Sequence, residues 1–225
     1  TPMNAVLGIL ELLEEDNVHP EQLKLIHLAM SSGTQLMEII NSILDLSRMN
    51  AGTFTISPKP FCTASLIDST RGIMQTAASE KNLALQFQVS PALPAHICGD
   101  FTRIRQILIN LIDNAIKFTD KGSIAISLSA VSHNNETFEL LCDVTDSGIG
   151  IDESFKDQLF DEFSMADNSS SRQRSGAGLG LSICKNLVKK MSGHITARNN
   201  RSGGGAQFSF SIRLNYCSDD EIAAL

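Results

Sequence analysis

The sequence predicts an α+β chain: a helical hairpin, then a mixed, largely antiparallel sheet with helices on one face. Two observations carry this. Apolar residues recur at helical spacing through residues 1–50, whereas alternating apolar and polar stretches begin only after Gly52. Those later strands sit beside helices without a repeating βαβ rhythm, which argues against a doubly wound parallel sheet.

The first helix is expected from Thr1 to about Glu15, with Val6, Leu10 and Leu13 on one stripe and Met3 and Leu7 beside it. Asp16-Asn-Val-His-Pro20 breaks it, and Pro20 suits a turn or a helix start. A second helix, Glu21 to about Asn50, carries Ile26, Ala29, Gly33, Leu36, Ile40 and Ile43, the seam of a coiled coil or bundle. Two helices joined by a short turn cannot bury such a seam alone. Residues 1–50 are therefore expected to form a homodimer, most simply a four-helix bundle, the other reading being an intrachain helix packed on the rest of the molecule.

Ala51-Gly52 and Ser57-Pro-Lys-Pro60 mark a linker, residues 51–60, with a short strand at Thr53–Ile56. A second domain follows over residues 61–214. It reads as a helix from Cys62 to about Lys81, a half-buried strand at Leu83–Val89 and a helix at Asp100–Phe118. Strands at Ser123–Ala130 and Thr137–Val144 flank a polar turn at His133-Asn-Asn135. A short helix near Glu153–Phe160, a helix over Ser182–Met191, and strands near His194–Arg198 and Ala206–Leu214 complete it. Residues 215–225 read as a loose acidic tail.

The formal net charge of −7 and the lack of a basic patch argue against nucleic acid as a partner. No apolar run approaches about 18 residues, the length that spans a bilayer, and no stretch of this sequence reads as a signal peptide. The opening Thr1-Pro2-Met3 falls mid-pattern, as in a piece of a longer protein. Five scattered cysteines with no C-x-x-C pair suit a reduced cytoplasmic setting, Cys142 and Cys184 reading as buried thiols among apolar neighbours. The histidines are isolated and lack ligand spacing.

Two glycine clusters carry the chemistry. Asp146-Ser-Gly148-Ile-Gly150 and Gly176-Ala-Gly178-Leu179-Gly180-Leu181 flank a Ser- and Arg-rich segment, Asn168–Ser175, that reads as a lid. Glycines two apart let backbone approach a ligand closely, and the second cluster runs into a helix whose unpaired N–H groups favour phosphate. No Gly-Lys-Ser or Gly-Lys-Thr follows, and no strand leads directly into these glycines, so neither common phosphate-loop fingerprint applies.

Asp100–Phe118 supplies a second half. At about 100° per residue, Arg103, Gln106, Asn110, Asn114 and Lys117 fall within an arc of roughly 80°, opposite Ile104, Leu108, Leu111 and Ala115. A merely solvated face would favour Glu and Lys, because Asn is a poor helix former. Asn110 and Asn114 at i and i+4 offer carbonyl oxygens to a hydrated Mg²⁺, with Lys117 a turn further for phosphate.

Asn110-Leu-Ile-Asp-Asn114-Ala-Ile-Lys117, Asp146-Ser-Gly-Ile-Gly150, Phe160-Asp-Glu-Phe163 and Gly176-Ala-Gly-Leu-Gly-Leu181 resemble the N, first glycine, F and second glycine boxes of sensor histidine kinases, in order. Thr1-Pro2-Met-Asn4 resembles the end of the phosphoacceptor box, and the lid and F box look most like hybrid kinases with a downstream receiver domain. The resemblance implies an ATP-binding sandwich of the histidine kinase and gyrase superfamily. Asn114 would hold Mg²⁺, with Asn110 and Lys117 near the phosphates, and Asp146 would select the adenine amino group. Gly148 and Gly150 would leave room for the base, Phe160 and Phe163 would anchor the lid's start, and Gly176, Gly178 and Gly180 would let the lid close and direct N–H groups at the phosphates, with Leu179 and Leu181 also at the nucleotide. It places the phosphorylated histidine four residues before Thr1, and Thr1 at a position used in dephosphorylating a response regulator. That regulator or a fused receiver would be the partner, and the full-length protein could sit in the inner membrane. A non-kinase ATPase of the same superfamily and a non-catalytic kinase-like regulator are the alternatives.

Overall fold

A computed structural model describes residues 6–10, 13, 19–164, 178–200 and 204–223, within two compact units, Thr1–Phe54 and Thr55–Leu225. In the first unit residues 6–10 are helical and α1 spans Pro20–Asn50. Pro20 stands in the first turn, where a missing N–H costs nothing, and the His19 N–H donates to Gln22 Oε1 at 3.3 Å. The helix ends with the Arg48 carbonyl accepting from the N–H groups of Thr53 and Phe54 (3.0 and 3.1 Å). That return removes the strand expected at Thr53–Ile56: these donors serve the helix end, and residues 53–58 join no ladder.

The seam of α1 resolves into two apolar rows. Ile26 is buried and Leu23, Met30, Gly33 and Met37 are half-buried. Leu25, Ala29, Leu36, Ile40 and Ile43 lie on a neighbouring face and are exposed, Leu25 at 66 %. Four of the six expected seam residues, Ala29, Leu36, Ile40 and Ile43, are thus left in solvent by the single chain.

The second unit contains β1 (Lys59–Cys62), α2 (Thr63–Glu80), β2 (Ala84–Val89), β3 (His96–Gly99), α3 (Phe101–Phe118), β4 (Ser123–Ser132), β5 (Thr137–Asp146), α4 (Gly180–Lys190), β6 (His194–Asn199), β7 (Ala206–Tyr216) and α5 (Asp219–Ala223). The strands form one sheet in the order β1-β3-β7-β5-β4-β2, with β6 also on β7, and only β2 and β4 run parallel. Along β5 every second residue is buried: Phe138, Leu140, Cys142, Val144 and finally Asp146. The helix α3 packs between α2 and α4 and lies on β5, burying Ile104, Ile107, Leu108 and Leu111 completely. Asp100 caps it, its carboxylate accepting from the Arg103 N–H at 3.2 Å.

Three local expectations are corrected. The strands β1 and β3 replace the one placed at Thr53–Ile56; β1 contains Pro60, which a sheet accepts only at an edge, and β1 pairs with β3 alone. Glu153–Phe160 is not a helix but a single 3₁₀ turn, Lys156–Gln158, within a run of i to i+3 bonds, because the Asp152 carboxylate captures the Ser154 N–H and hydroxyl (2.9 and 2.7 Å). Residues 215–223 are not a loose tail: β7 continues to Tyr216, and Ser218 with Glu221 forms a reciprocal cap on α5, Glu221 Oε2 accepting from the Ser218 N–H at 2.9 Å.

Leu108 is fully buried on the core face of α3. Leu108→Ala is expected to destabilise the fold by about 2–5 kcal/mol in denaturant unfolding.

Candidate functional site

Asp146 is the last residue of β5 and continues its buried apolar row. Only 6 % of the residue is exposed. Its Oδ1 accepts from the backbone N–H of Gly148 (2.8 Å) and of Ala206 (3.2 Å). No donor among the described residues reaches Oδ2. Burial raises the carboxyl above the usual range, and the two N–H bonds oppose that rise. Among the described residues, Oδ1 is thus held by two backbone donors and Oδ2 by none.

The glycines around it are required first by the protein's own packing. A Cβ on Gly148 would stand 2.3 Å from the Phe118 carbonyl oxygen, and one on Gly150, at φ +78°, would stand 2.8 Å from Asn199 Oδ1. The turn after Asp146 is thus pressed against the end of α3, and the Ile149 N–H donates to the same Phe118 carbonyl at 3.3 Å. The Thr119 hydroxyl, fully buried beside Gly148, has no hydrogen-bond partner among the described residues.

The polar face of α3 forms the second wall. Arg103, Gln106, Asn110, Asn114 and Lys117 are all half-buried, whereas the opposite face is core. Asn110 Nδ2 donates to the Gly180 carbonyl at 3.3 Å, tying α3 to the first residue of α4. Behind this tie the Cys184 thiol points at the Ile107 carbonyl (3.9 Å), and burial pushes its pKa up to about 12, so it packs rather than reacts. Burial lowers the Lys117 pKa, against the attraction of Asp113.

The second glycine cluster is described from Gly178 onward. Gly178 has φ +68°, and its Cβ would meet the Phe163 backbone at 3.0 Å; Leu179 is buried, and Gly180 and Leu181 are half-buried at the start of α4. Phe160 is half-buried, but Phe163 is 62 % exposed on left-handed backbone (φ +58°), so it is no core aromatic. Thr1, Gly176 and the segment Asn168–Ser175 lie outside the described residues.

Residues not singled out from sequence hold these walls. Lys81 Nζ donates to the carbonyls of Ile116 and Lys117 (2.7 and 3.3 Å), capping the end of α3. Asn199 and Asn200, at the end of β6, bond to Ile151 and to the Asp146 carbonyl. The spacing of these three residues carries no signal, because each bonds a segment distant in the chain.

Residues 99–216 match the family model described as histidine kinase-, DNA gyrase B- and HSP90-like ATPase, and residues 1–52 match the His Kinase A (phospho-acceptor) domain. The chain belongs to the histidine kinase-, gyrase B- and HSP90-like ATPase family. With the phospho-acceptor domain before it, this is a histidine kinase core. It is 38% identical over 225 residues to the sensor protein GacS of Pseudomonas syringae pv. syringae, covering 100% of this chain and 25% of that protein. It is 38% identical over 212 residues to hybrid signal transduction histidine kinase B of Dictyostelium discoideum, covering 94% of this chain and 11% of that one. Full-length ShkA, solved in complex with AMPPNP, superposes with a TM-score of 0.77 at 30% identity, over 96% of this chain and 44% of that one. The kinase core thus spans about a quarter of its GacS relative. Among the described residues no helix is long and apolar enough to cross a membrane.

Because its pKa is raised on folding, Asp146 opposes stability as it ionises. Relative to Asp146→Asn, the wild-type chain should lose stability as pH rises from the ordinary carboxylate range through the raised value, then run parallel above it. Denaturant unfolding of both chains across that pH range checks the sign.

Proposed function

We propose that this kinase core binds ATP with Mg²⁺ and transfers the γ-phosphate to a histidine of the phospho-acceptor domain, as part of a hybrid two-component sensor. The observation that carries the reading is the half-satisfied, buried carboxylate of Asp146, facing a ligand with one free oxygen. In that role Oδ2 accepts from the adenine amino group, and a base without a donor there leaves a buried acceptor unpaired, which is costly. Gly150 and the Asp146–Gly148 turn flank the base.

Asn114 would hold the metal ion, with Asn110 and Lys117 beside the phosphates. Among the described residues no three His, Cys, Asp or Glu side chains form a metal cage. An amide oxygen fits an ion that takes most of its remaining ligands from phosphate and water. Bound there, Mg²⁺ neutralises phosphate charge. The chain's own work is positioning: the α4 N-terminus presents N–H groups to the phosphates, Asn110 fixes that terminus to α3, and Phe160, Phe163 and Gly178 set where the lid begins.

The exposed row of Leu25, Leu36, Ile40 and Ile43 fits a homodimer of residues 1–50, a four-helix bundle with a second copy. Residues 51–60 then serve as linker and residues 61–214 as the ATP-binding domain. Thr1 and its neighbours, together with a receiver domain, belong to the phosphorelay of the whole protein. A cytoplasmic location suits this region, in a full-length protein anchored at the inner membrane.

Asp146→Asn is expected to weaken binding of an ATP analogue about ten- to a hundredfold in a titration. Unchanged affinity would sink the adenine assignment. Asn114→Ala should abolish the gain in affinity that Mg²⁺ confers, leaving binding in chelator as in wild type. Native mass measurement should find a dimer, and Leu36→Glu with Ile43→Glu a monomer.

A further inference from the structure

The turn from Asp146 to Ile151 leaves β5, and residues 147–151 join no ladder. Its start is held several times over, by the Asp146 carboxylate, by the Ile149 N–H on Phe118, and by the Ser147 N–H on the Ser123 carbonyl at 3.2 Å. Its exit is held differently. Asn199 Oδ1 accepts from the Ile151 N–H (2.6 Å) and Asn199 Nδ2 donates to the Ile151 carbonyl (2.8 Å), so one side-chain amide pairs with both backbone groups of that residue as a neighbouring strand would. Among the described residues these are the only hydrogen bonds of the Ile151 backbone. The next residue, Asn200, donates through Nδ2 to the Asp146 carbonyl (2.7 Å) and the Gly204 carbonyl (3.2 Å).

The two asparagines are linked to the carboxylate by the sheet itself. Asn199 is the last residue of β6 and stands opposite Ala206, whose N–H donates to Asp146 Oδ1. Gly150 must be glycine partly because Asn199 Oδ1 occupies the space its Cβ would need. The end of β6 therefore grips both ends of the turn, Asp146 through Asn200 and Ile151 through Asn199.

We infer that Asn199 and Asn200 are positioning residues for the adenine end of the nucleotide site, preforming the Asp146–Ile151 turn before the ligand arrives. The inference rests on the adenine reading of Asp146. A preformed turn binds more tightly because less ordering accompanies binding. In the proposed function the phosphates lie on α3 and α4, and among the described residues neither asparagine side chain hydrogen-bonds to either helix, so that contribution is left alone.

The test titrates the chain with AMPPNP, with and without Mg²⁺, in wild type, Asn199→Ala, Asn200→Ala, Asp146→Asn and Asn134→Ala. Asn134 serves as the control, since its side chain caps the β4–β5 turn by accepting from the N–H groups of Glu136 and Thr137. Asn199→Ala is expected to raise the dissociation constant about tenfold at full binding stoichiometry, with the fold-gain from Mg²⁺ unchanged, and Asn200→Ala to act in the same direction. Asn134→Ala should leave affinity as in wild type. An unchanged dissociation constant in Asn199→Ala, or a loss only of binding-competent fraction, overturns the positioning role. If Asp146→Asn also binds as wild type does, the adenine reading itself fails; if Asp146→Asn weakens binding and Asn199→Ala does not, only the positioning role fails.

Discussion

A carboxylate buried at the end of an apolar strand row is the constraint on which the second unit depends. Burying an unpaired charge costs several kcal/mol on a rough scale, so Asp146 is tolerable only where backbone donors converge on it. They come from two directions: Gly148 just downstream, and Ala206 at the start of β7. For Ala206 to arrive, β7 must pair with β5 in its observed register, Thr145 opposite Gln207. The approach is so close that a Cβ on Gly205 would stand 2.0 Å from the Asp146 carbonyl oxygen. Sheet register, glycine placement and the charge at the site are one requirement seen three ways.

The opposite wall shows the same tension between stability and use. Asparagine is a poor helix former, yet α3 carries two on its half-buried polar face. The helix tolerates them because its other face is fully buried, because Asp100 caps its start, and because the Lys81 ammonium closes its end on two carbonyls. Asn110 then joins this helix to α4, whose own inner face is fastened by Leu187, Val188 and the inert Cys184. On this helix local propensity is broken on the polar face and kept on the buried one.

Much of this was legible in the chain. The alternation of Phe138, Leu140, Cys142 and Val144 points Asp146 inward, and helical arithmetic puts Asn110, Asn114 and Lys117 on one face opposite Ile104 and Leu108. Those are local periodicities, and local periodicity is what sequence reports. Where short elements depend on partners, the reading failed. The strands β1 and β3 have four residues each, too few to show a period, and β1 holds a proline that only an edge position permits. Glu153–Phe160 has helical composition, but Asp152 diverts the backbone. Ser218-Asp-Asp-Glu221 is itself a capping pattern hidden in an acidic stretch, and Phe163 carries an aromatic label without a core position.

The sequence by itself determined which chemical groups exist and which way each faces from its own helix or strand, since those directions repeat every few residues. Tertiary structure alone decided which of them meet. Asp146 finds the Ala206 N–H across 60 residues, Asn110 finds the Gly180 carbonyl across 70, and Asn199 finds Ile151 across 48. Partners so distant are chosen by sheet order and by helix packing, and neither leaves a spacing along the chain from which they could be read.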